Sequence, residues 1–281
     1  KTAYEISLGL VGSEMCIRDS LEPARLVHDH QVLLFITGGS TGLGSELAKH
    51  FILNEFRLVL NYFFDKDLEQ LRSNNPELAN EDKVFSFKAD VANREQVKGM
   101  FDGAIEKFGR VDILINLAGI NRDAPFSEIT DDMWDSVIAA HLKGHFICGQ
   151  EYVAHNPDRE GVIINIGAAC GQIGRKNGAN FCSAKGAIFA LTKCMALELA
   201  PRIRVNCLVP GSVKTREVID RYFLETDEGL QKELATLPMG RLGEFEDIIH
   251  IVKSMINAKF TTGANFYANG GQYMHLSLIH I

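Results

Sequence analysis

The sequence has little positive charge and no long hydrophobic run. It holds 29 Lys and Arg residues against 36 Asp and Glu residues, for a formal net charge of −7. A non-specific nucleic-acid binder needs a basic face, so this balance argues against that function. A helix that crosses a bilayer needs roughly 20 consecutive apolar residues, and no run approaches that length. Neither nucleic acid nor membrane is therefore expected as a partner.

Paired cysteines are also missing from the sequence. Of six cysteines, Cys16 lies in a suspect leader, and no two of the others form a C-x-x-C motif. The odd number of remaining thiols favours a reducing, cytoplasmic setting over a disulfide scaffold or a zinc site, and no metal is predicted. The five remaining cysteines are Cys148, Cys170, Cys182, Cys194 and Cys207.

Both ends of the chain look foreign to the protein. "KTAYEI" and "LVGSEMCIRDS" near the start, and "LSLIHI" at the end, back-translate to the two strands of a sequencing-library adapter. We therefore expect residues 1–20 and 276–281 to be adapter artefacts and exclude them from the prediction of the fold. A short natural targeting segment is the alternative, although the leader has neither a long apolar core nor a basic amphipathic pattern.

Residues 21–275 are predicted to form one α/β domain. Short runs that are apolar on both faces alternate with amphipathic segments, which is typical of a parallel sheet covered by helices on each side. We expect a doubly wound parallel sheet of about seven strands. The predicted strands are residues 31–37, 56–62, 83–89, 111–117, 161–167, 202–209 and 264–270, and the predicted helices are about 42–54, 67–73, 93–108, 130–155, 180–200 and 244–258. A further helical stretch, residues 214–237, is a candidate mobile lid.

A glycine-rich loop follows the first predicted strand. Residues 37–44 read "TGGSTGLG", in which Gly38, Gly42 and Gly44 have the spacing G-x-x-x-G-x-G. Glycine permits the tight turn and the close approach of a pyrophosphate, and the next helix directs its free N–H groups at that anion. Packing alone could explain such a loop, but its place between a strand and a helix favours a nucleotide site. The candidate contacts here are Thr37, Gly38, Ser40, Thr41, Gly42, Leu43 and Gly44.

Further small and polar residues follow the later strands. Turn chemistry could explain each group separately, but together they stand at the carboxyl ends of successive strands, where such sheets bind ligands. Asp90 could accept a hydrogen bond from an adenine amine, and Thr215 could reach a carboxamide. The candidate contacts are Asp90 and Val91, then Asn116, Ala118 and Gly119 in "NLAG", then Pro210, Gly211, Val213 and Thr215 in "PGSVKT".

With these motifs in order, residues 32–274 resemble the short-chain dehydrogenase/reductase family, and most of all its 3-oxoacyl-carrier-protein reductases. "MGRLGEFEDI" (239–248) and "YANGG" (267–271) extend the likeness. The resemblance implies a single Rossmann-like domain and a nicotinamide dinucleotide, NAD(P)(H). It also implies hydride transfer between the nicotinamide and a carbonyl or alcohol, and a homo- or hetero-oligomer built on the helices near 130–155 and 180–200.

The resemblance also implies catalytic positions, of which one keeps its usual residue. The family's lysine, which also hydrogen-bonds the nicotinamide ribose, matches Lys185 and makes it a candidate cofactor contact. Phe181, however, stands at the tyrosine position, Ala168 at the serine position and His141 at the asparagine position. A positioned general acid contributes roughly 10²–10⁴-fold, and one oxyanion donor contributes about 10²–10³-fold. Because residues that act as a unit are not additive, a loss on the order of 10³ or more is expected for the usual mechanism.

Replacement donors are available nearby. His141 with Lys185 could relay a proton through water, and Cys170 could reach inward from its turn, although a thiol is a weak donor. Cys182 and Ser183 flank the site but point away from the face shared by Phe181 and Lys185, since successive helical residues are rotated by about 100°. Two functions therefore remain open: an oxidoreductase with impaired or non-standard chemistry, and an inactive pseudoenzyme or partner subunit that still binds dinucleotide.

The sequence leaves the cofactor and the substrate open. An acid at the end of the second strand would favour NAD, but Tyr62 stands there, Asn61 could serve either cofactor, and no basic residue replaces Thr41 in the loop. Resemblance alone favours NADP(H) slightly. Residues 121–128 and the lid segment, residues 214–237, are expected to line the substrate side. Their aromatic residues suit an apolar or acyl substrate, unless they are packing residues: Phe126, Tyr222 and Phe223.

Overall fold

The computed structural model describes residues 32–274, so both predicted adapter segments lie outside the described residues. These residues form one seven-stranded sheet in the order β3-β2-β1-β4-β5-β6-β7, and every pair of neighbours is parallel. The predicted doubly wound α/β fold is confirmed. The strands are β1 Leu33–Ile36, β2 Arg57–Tyr62, β3 Val84–Lys88, β4 Ile113–Asn116, β5 Gly161–Ile166, β6 Ile203–Pro210 and β7 Asn265–Ala268.

Helices cover both faces of this sheet because the strands are apolar on both sides. One core cluster joins α1, α2 and α10 to the sheet, and a second joins α3, α5 and α7 to the opposite face. Among the described helices, none is long and apolar enough to cross a membrane. Their bounds are α1 Gly42–Leu53, α2 Asp65–Asn74, α3 Arg94–Phe108, α4 Asp131–Ile138, α5 Gly144–Ala154, α6 Cys170–Ile173, α7 Ala179–Leu199, α8 Arg216–Tyr222, α9 Asp227–Leu234 and α10 Phe245–Asn257.

The long helix predicted over 130–155 is interrupted. A π-helical turn, Ala139–Lys143, separates α4 from α5, although the backbone stays helical throughout. A π turn holds one residue more than an α turn, and hydrophobic periodicity does not reveal it. This wider turn contains the buried His141, whose side chain reaches the loop after β4.

The helices on which the resemblance places an oligomer carry exposed apolar side chains. Trp134 of α4 is 38% exposed, Phe146 of α5 is 41% exposed and Leu197 of α7 is 84% exposed. Large exposed apolar residues on adjoining helices are consistent with an interface. The oligomer itself stays a prediction.

The strand order reverses between β1 and β4, which are neighbours in the sheet although two strands separate them in sequence. At such a reversal the following helices diverge to opposite faces and leave a crevice at the carboxyl edge of the sheet. The glycine loop after β1 and the "NLAG" segment after β4 both border this crevice, and Gly38 contacts Ala118 directly.

Candidate active site

The glycine loop lies between β1 and α1, and its packing requires glycine at two points. Gly38 has a φ of +66°, and a Cβ added there would lie 2.9 Å from Ala118 Cα. A Cβ on Gly44 would lie 2.2 Å from the Gly38 carbonyl oxygen. Thr41 accepts no side-chain cap hydrogen bond at the start of α1. The first N–H groups of α1 and its positive dipole end therefore suit an anion.

Two buried polar side chains fix this loop to the sheet. Thr37 Oγ1 accepts hydrogen bonds from the backbone N–H groups of Leu117 at 2.9 Å and Ala118 at 3.1 Å. Asn61 Oδ1 accepts from Gly38 N–H at 3.1 Å, and its Nδ2 donates to the Ala89 carbonyl at 2.9 Å. Thr37 and Asn61 are both 2% exposed. Their side chains hold the loops that surround the crevice, and direct contact with a cofactor stays a prediction.

A cavity of about 520 Å³ extends from the glycine loop to α8. It brings together residues that are far apart in sequence and that the sequence analysis singled out. They are Gly38, Thr41, Gly42, Leu43, Ala118, Gly119, His141, Ala168, Phe181, Lys185, Pro210, Gly211, Val213 and Thr215. Residues that follow the strands therefore meet His141, Phe181 and Lys185 at one site, as the doubly wound fold predicts.

The other predicted contacts are not among the residues described as lining this cavity. Tyr62, Asp90 and Val91 lie at the ends of β2 and β3, on the far side of the glycine loop. Asp90 Oδ1 accepts from Ala92 N–H at 2.8 Å, which is a local turn bond. Whether these residues contact the adenine end of a cofactor stays a prediction, as it does for Ser40, Gly44 and Asn116.

Lys185 is a buried cation inside the cavity. It is 3% exposed, and its Nζ donates to the Ile166 carbonyl at 2.6 Å. Burial disfavours the ammonium and lowers the pKa of Lys185 to about 8. A lysine with this pKa is mostly protonated at neutral pH and still loses its proton readily.

His141 is held in its neutral form beside the lysine. Burial and the charge of Lys185 lower the pKa of His141 to about 3. Its Nε2 lies 3.1 Å from the Ile120 nitrogen and 2.8 Å from the Ile120 oxygen, so one ring nitrogen is committed to that peptide. Among the described residues Nδ1 has no hydrogen-bond partner. A Cβ on Gly119 would lie 1.9 Å from the ring, so the ring occupies the space that this glycine leaves free.

Phe181 and Ala168 also line the cavity, and neither side chain can donate a proton. The Phe181 ring meets the His141 ring edge-on, with 5.0 Å between centroids, and Lys185 Nζ lies 5.6 Å from the Phe181 centroid. Asn180 fixes the start of α7, because its Nδ2 donates to the Arg122 carbonyl at 2.9 Å and its Oδ1 accepts from Phe181 N–H at 2.8 Å. The ring is thus oriented into the site.

An ion-pair cluster beside Phe181 was missed by the sequence analysis. Arg175 and Arg221 place their guanidinium carbons 5.2 Å and 5.9 Å from the centroid of the Phe181 ring. Both pair with Asp123, at 2.9 Å from Arg175 and 3.4 Å from Arg221. The three charges come from three separate loops or helices, so no spacing in the sequence connects them. The two arginines line the cavity together with Glu217, which pairs with Arg221 at 2.5 Å, so the two cations are balanced by two carboxylates.

The predicted lid segment contains α8 and α9, and part of it covers the cavity. Val218, Arg221 and Tyr222 line the cavity, whereas Phe223 is 71% exposed and Phe126 is 83% exposed. Of the three aromatic residues noted in the sequence analysis, Tyr222 lines the cavity, and Phe126 and Phe223 are not among its lining residues. Phe223 ends α8 in a left-handed conformation and Phe126 lies in a short 3-10 turn, so each side chain projects outward.

The far end of this segment is tied to the sheet. Glu233 of α9 is 6% exposed and accepts a hydrogen bond from the Ser212 hydroxyl. Gln272 Nε2 donates to Glu233 at 2.9 Å and to Thr236 Oγ1 at 2.9 Å. α9 is thus anchored to the loop after β6 and to the segment after β7, which limits how much of the segment could open; its mobility stays a prediction.

These features fit a dinucleotide. The glycine cradle excludes side chains where a pyrophosphate would approach, and uncapped N–H groups of α1 lie beside it. Farther along the same cavity, Asn121 Oδ1 and His141 Nδ1 are buried without a partner among the described residues. Buried polar atoms that lack a partner are uncommon, so both atoms are available to a ligand.

Comparison with known proteins gives the same family. The model of the short chain dehydrogenase family matches residues 32–221. The chain is 33% identical over 248 residues to the 3-oxoacyl-(acyl-carrier-protein) reductase FabG of Staphylococcus aureus strain Mu50, covering 85% of this chain and 97% of the relative. It is 29% identical over 253 residues to glucose 1-dehydrogenase 2 of Bacillus subtilis strain 168, covering 86% of this chain and 95% of the relative.

Solved structures agree with this result. A short-chain dehydrogenase/reductase described as a glucose/ribitol dehydrogenase from Brucella melitensis superposes with a TM-score of 0.80 at 26% identity, over 87% of this chain and 97% of that one. A short-chain dehydrogenase from Bacillus anthracis gives a TM-score of 0.77 at 28% identity, over 88% and 98% of the two chains. The chain belongs to the short-chain dehydrogenase/reductase family of oxidoreductases.

Proposed function

We propose that this protein is an NAD(P)(H)-dependent oxidoreductase that transfers hydride between the nicotinamide and a carbonyl or alcohol, with Lys185 in place of the usual tyrosine as proton donor. The observation that carries this proposal is the position of Lys185. It lies in the same cavity as the glycine loop and beside the side chains at the tyrosine and serine positions, which have no proton to give.

The cofactor would be held by the glycine loop and by the loops after β4 and β6. The nicotinamide, when bound, accepts or donates the hydride. Gly38, Gly42 and the start of α1 suit its phosphates, and Ala118 with Gly119 leaves space beside them. Thr215 caps α8 through Oγ1, which accepts from Val218 N–H at 3.2 Å, so its hydroxyl proton is still available to a carboxamide.

NADP(H) is the proposed preference. The end of β2 carries Tyr62, Phe63 and Phe64 rather than the acid that would pair with ribose hydroxyls. The first acid after them, Asp65, is already paired with Lys88. Lys88, the cation of that pair, stands opposite Tyr62 in the sheet, and an incoming 2′-phosphate would compete with Asp65 for it.

The proton would come from Lys185. A general acid works best when its pKa is near the working pH, and burial brings the pKa of Lys185 to about 8. His141 cannot act as a cationic acid, because its pKa of about 3 keeps it neutral. Its open Nδ1 can still hold a water molecule and pass a proton along it, which supports a relay between Lys185 and His141.

The proposed substrate is a carbonyl compound of the 3-oxoacyl type. The likeness to a 3-oxoacyl-(acyl-carrier-protein) reductase supports this class. Phe181 and Tyr222 give the cavity an apolar wall, and Arg175 and Arg221 lie beside it in ion pairs with Asp123 and Glu217. The N–H donors of the two arginines would favour a substrate with a polar group near its reacting carbonyl.

Restoring the two missing hydroxyls tests this account. Phe181→Tyr combined with Ala168→Ser should raise the rate of NADPH-dependent reduction of a 3-oxoacyl thioester by about 10²-fold or more, because a general acid and an oxyanion donor are both returned. The matched control is Phe126→Tyr, which adds the same hydroxyl outside the cavity and should change nothing. No gain from the double variant, in a protein that still binds NADPH, would contradict the claim that the replacements at Phe181 and Ala168 limit the rate.

A second candidate is a catalytically inactive, dinucleotide-binding partner subunit. The observation that favours it is the pair of replacements Phe181 and Ala168, which leaves intact the residues that suit the cofactor. The same experiment separates the two functions. A parent protein that binds NADPH, reduces no ketone at any pH and gains turnover only in the double variant would be a pseudoenzyme.

A further inference from the structure

Two thiols meet beside the cavity. Cys170 is the first residue of α6, and Cys182 lies in the first turn of α7. The two thiols are close enough to shift each other's pKa, although 11 residues separate them in the sequence. Both are free and neither is fully buried, so a small reagent can approach them.

Glycines bring the two helices close enough for this contact. A Cβ on Gly171 would lie 2.6 Å from the backbone nitrogen of Gly186, and one on Gly186 would lie 2.9 Å from the Gly171 oxygen. The backbones of α6 and α7 are therefore in direct contact next to the cysteines. The approach of Cys170 to Cys182 is a result of this packing and does not depend on long side chains.

The charges around the pair favour an ionised Cys182. The neighbouring Cys170 thiol and the Arg175 guanidinium lower the pKa of Cys182 to about 6. The neighbouring Cys182 and burial raise the pKa of Cys170, which keeps its proton. Asp123 opposes the thiolate of Cys182, and Lys185 faces Cys170. One nucleophile and one protonated resolving thiol are thus side by side.

The other described cysteines lack this arrangement. Cys148 and Cys207 are buried, and burial raises the pKa of each thiol to about 12. Cys194 is free and exposed on α7. It therefore serves as an internal control for simple accessibility.

We propose that Cys170 and Cys182 form a redox-active dithiol that reduces a hydroperoxide and closes into a disulfide. The Cys182 thiolate attacks the terminal peroxide oxygen; the S–O bond forms, the O–O bond breaks, and the leaving oxygen takes a proton from solvent, equal to the one that Cys182 lost on ionising, and departs as water or an alcohol. The Cys170 sulfur then attacks Cys182; the S–S bond forms, the S–O bond breaks, and water leaves with the Cys170 proton. The two thiols lose two electrons in total, and the peroxide gains them.

The disulfide would connect α6 to α7 beside the residues that replace the usual catalytic groups. Cys170 lies two residues after Ala168 and itself lines the cavity, and Cys182 follows Phe181 directly. Oxidation would therefore hold the cavity wall in one position. This dithiol chemistry needs neither a bound cofactor nor the hydride transfer proposed above.

Peptide mapping tests the proposal, because trypsin separates the two cysteines. Cys170 falls in the peptide 160–175, Cys182 in 177–185 and Cys194 in 194–202. The reduced full-length protein is treated with hydrogen peroxide, its remaining thiols are alkylated, and it is digested without reductant. The expected product is peptide 160–175 joined to peptide 177–185, with a loss of about 2 Da that dithiothreitol reverses.

Serine variants identify the roles of the two sulfurs. Cys170→Ser should stop the reaction at a sulfenic acid on Cys182 that dimedone traps, and Cys182→Ser should leave Cys170 as a free thiol. Cys194→Ser, the matched control, should form the same linked peptides as the parent. The proposal is overturned if the parent gives no linked pair, or if dimedone labels Cys194 in preference to Cys182.

Discussion

At the scale of single residues, Lys185 is the side chain whose position is hardest to explain by stability. Its ammonium is buried, and among the described residues it donates a hydrogen bond to the Ile166 carbonyl alone. Burying a charge costs free energy unless it is well paired, so a purely structural role would be served better by an apolar residue. A lysine retained at such a position is expected to act on a ligand.

The pH dependence of reduction tests the role of Lys185. Burial lowers the pKa of Lys185 to about 8, and reduction consumes its proton, so the rate should be highest below that pH and should fall as the pH rises through about 8. The measurement is the rate of NADPH-dependent ketone reduction at saturating substrate, from about pH 6 to about pH 10.

The same profile for the Phe181→Tyr, Ala168→Ser variant provides the comparison. If the restored tyrosine takes over the proton transfer, the pH at which the rate falls should differ between the variant and the parent. A parent rate that stays constant through pH 8 would exclude Lys185 as the donor.

At the scale of elements, the glycine loop is shaped by two separate requirements. Gly38 and Gly42 both have a positive φ, which an L-residue adopts at a cost of roughly 1 kcal/mol. Only Gly38 is also in close contact, because its added Cβ would lie 2.9 Å from Ala118 Cα, whereas an added Cβ on Gly42 meets no described atom within 4 Å. The energetic cost of a side chain at positive φ can therefore be measured separately from the cost of a clash with Ala118.

Alanine at these two glycines gives the second prediction. Gly42→Ala should lower the free energy of unfolding by about 1 kcal/mol, and Gly38→Ala should lower it by about 1–3 kcal/mol more, because the loop must also move away from β4. Urea unfolding of both variants measures the difference. Equal losses would show that the contact between the loops after β1 and β4 does not hold the crevice in shape.

At the scale of the whole molecule, the sequence predicts the architecture well and the chemistry incompletely. The seven parallel strands could be predicted because each is a short run that is apolar on both faces, with a helix between. The π turn at His141 could not, since one extra residue in a turn leaves the hydrophobic period nearly unchanged. The cavity residues in the loops after β1, β4 and β6 could also be predicted, because the carboxyl ends of parallel strands converge on one edge of the sheet.

Contacts between distant loops account for what the sequence missed. Arg175, Arg221 and Asp123 meet at Phe181, although no motif connects them. The pair of Cys170 and Cys182 depends on glycines that let two helices touch, and 11 intervening residues do not indicate it. The sequence also did not distinguish Tyr222, which lines the cavity, from the exposed Phe126 and Phe223, because an aromatic residue in a loop indicates neither wall nor surface until the backbone is known.

Binding of the dinucleotide is the central claim, and titration of the reduced protein with NADPH and NADH, followed by nicotinamide fluorescence, tests it most directly. We predict saturable binding with a dissociation constant in the micromolar range, with NADPH bound more tightly than NADH. No binding of either, by a protein that circular dichroism shows to be folded, would contradict the account and would mean that the glycine loop and Lys185 are inherited architecture without a ligand.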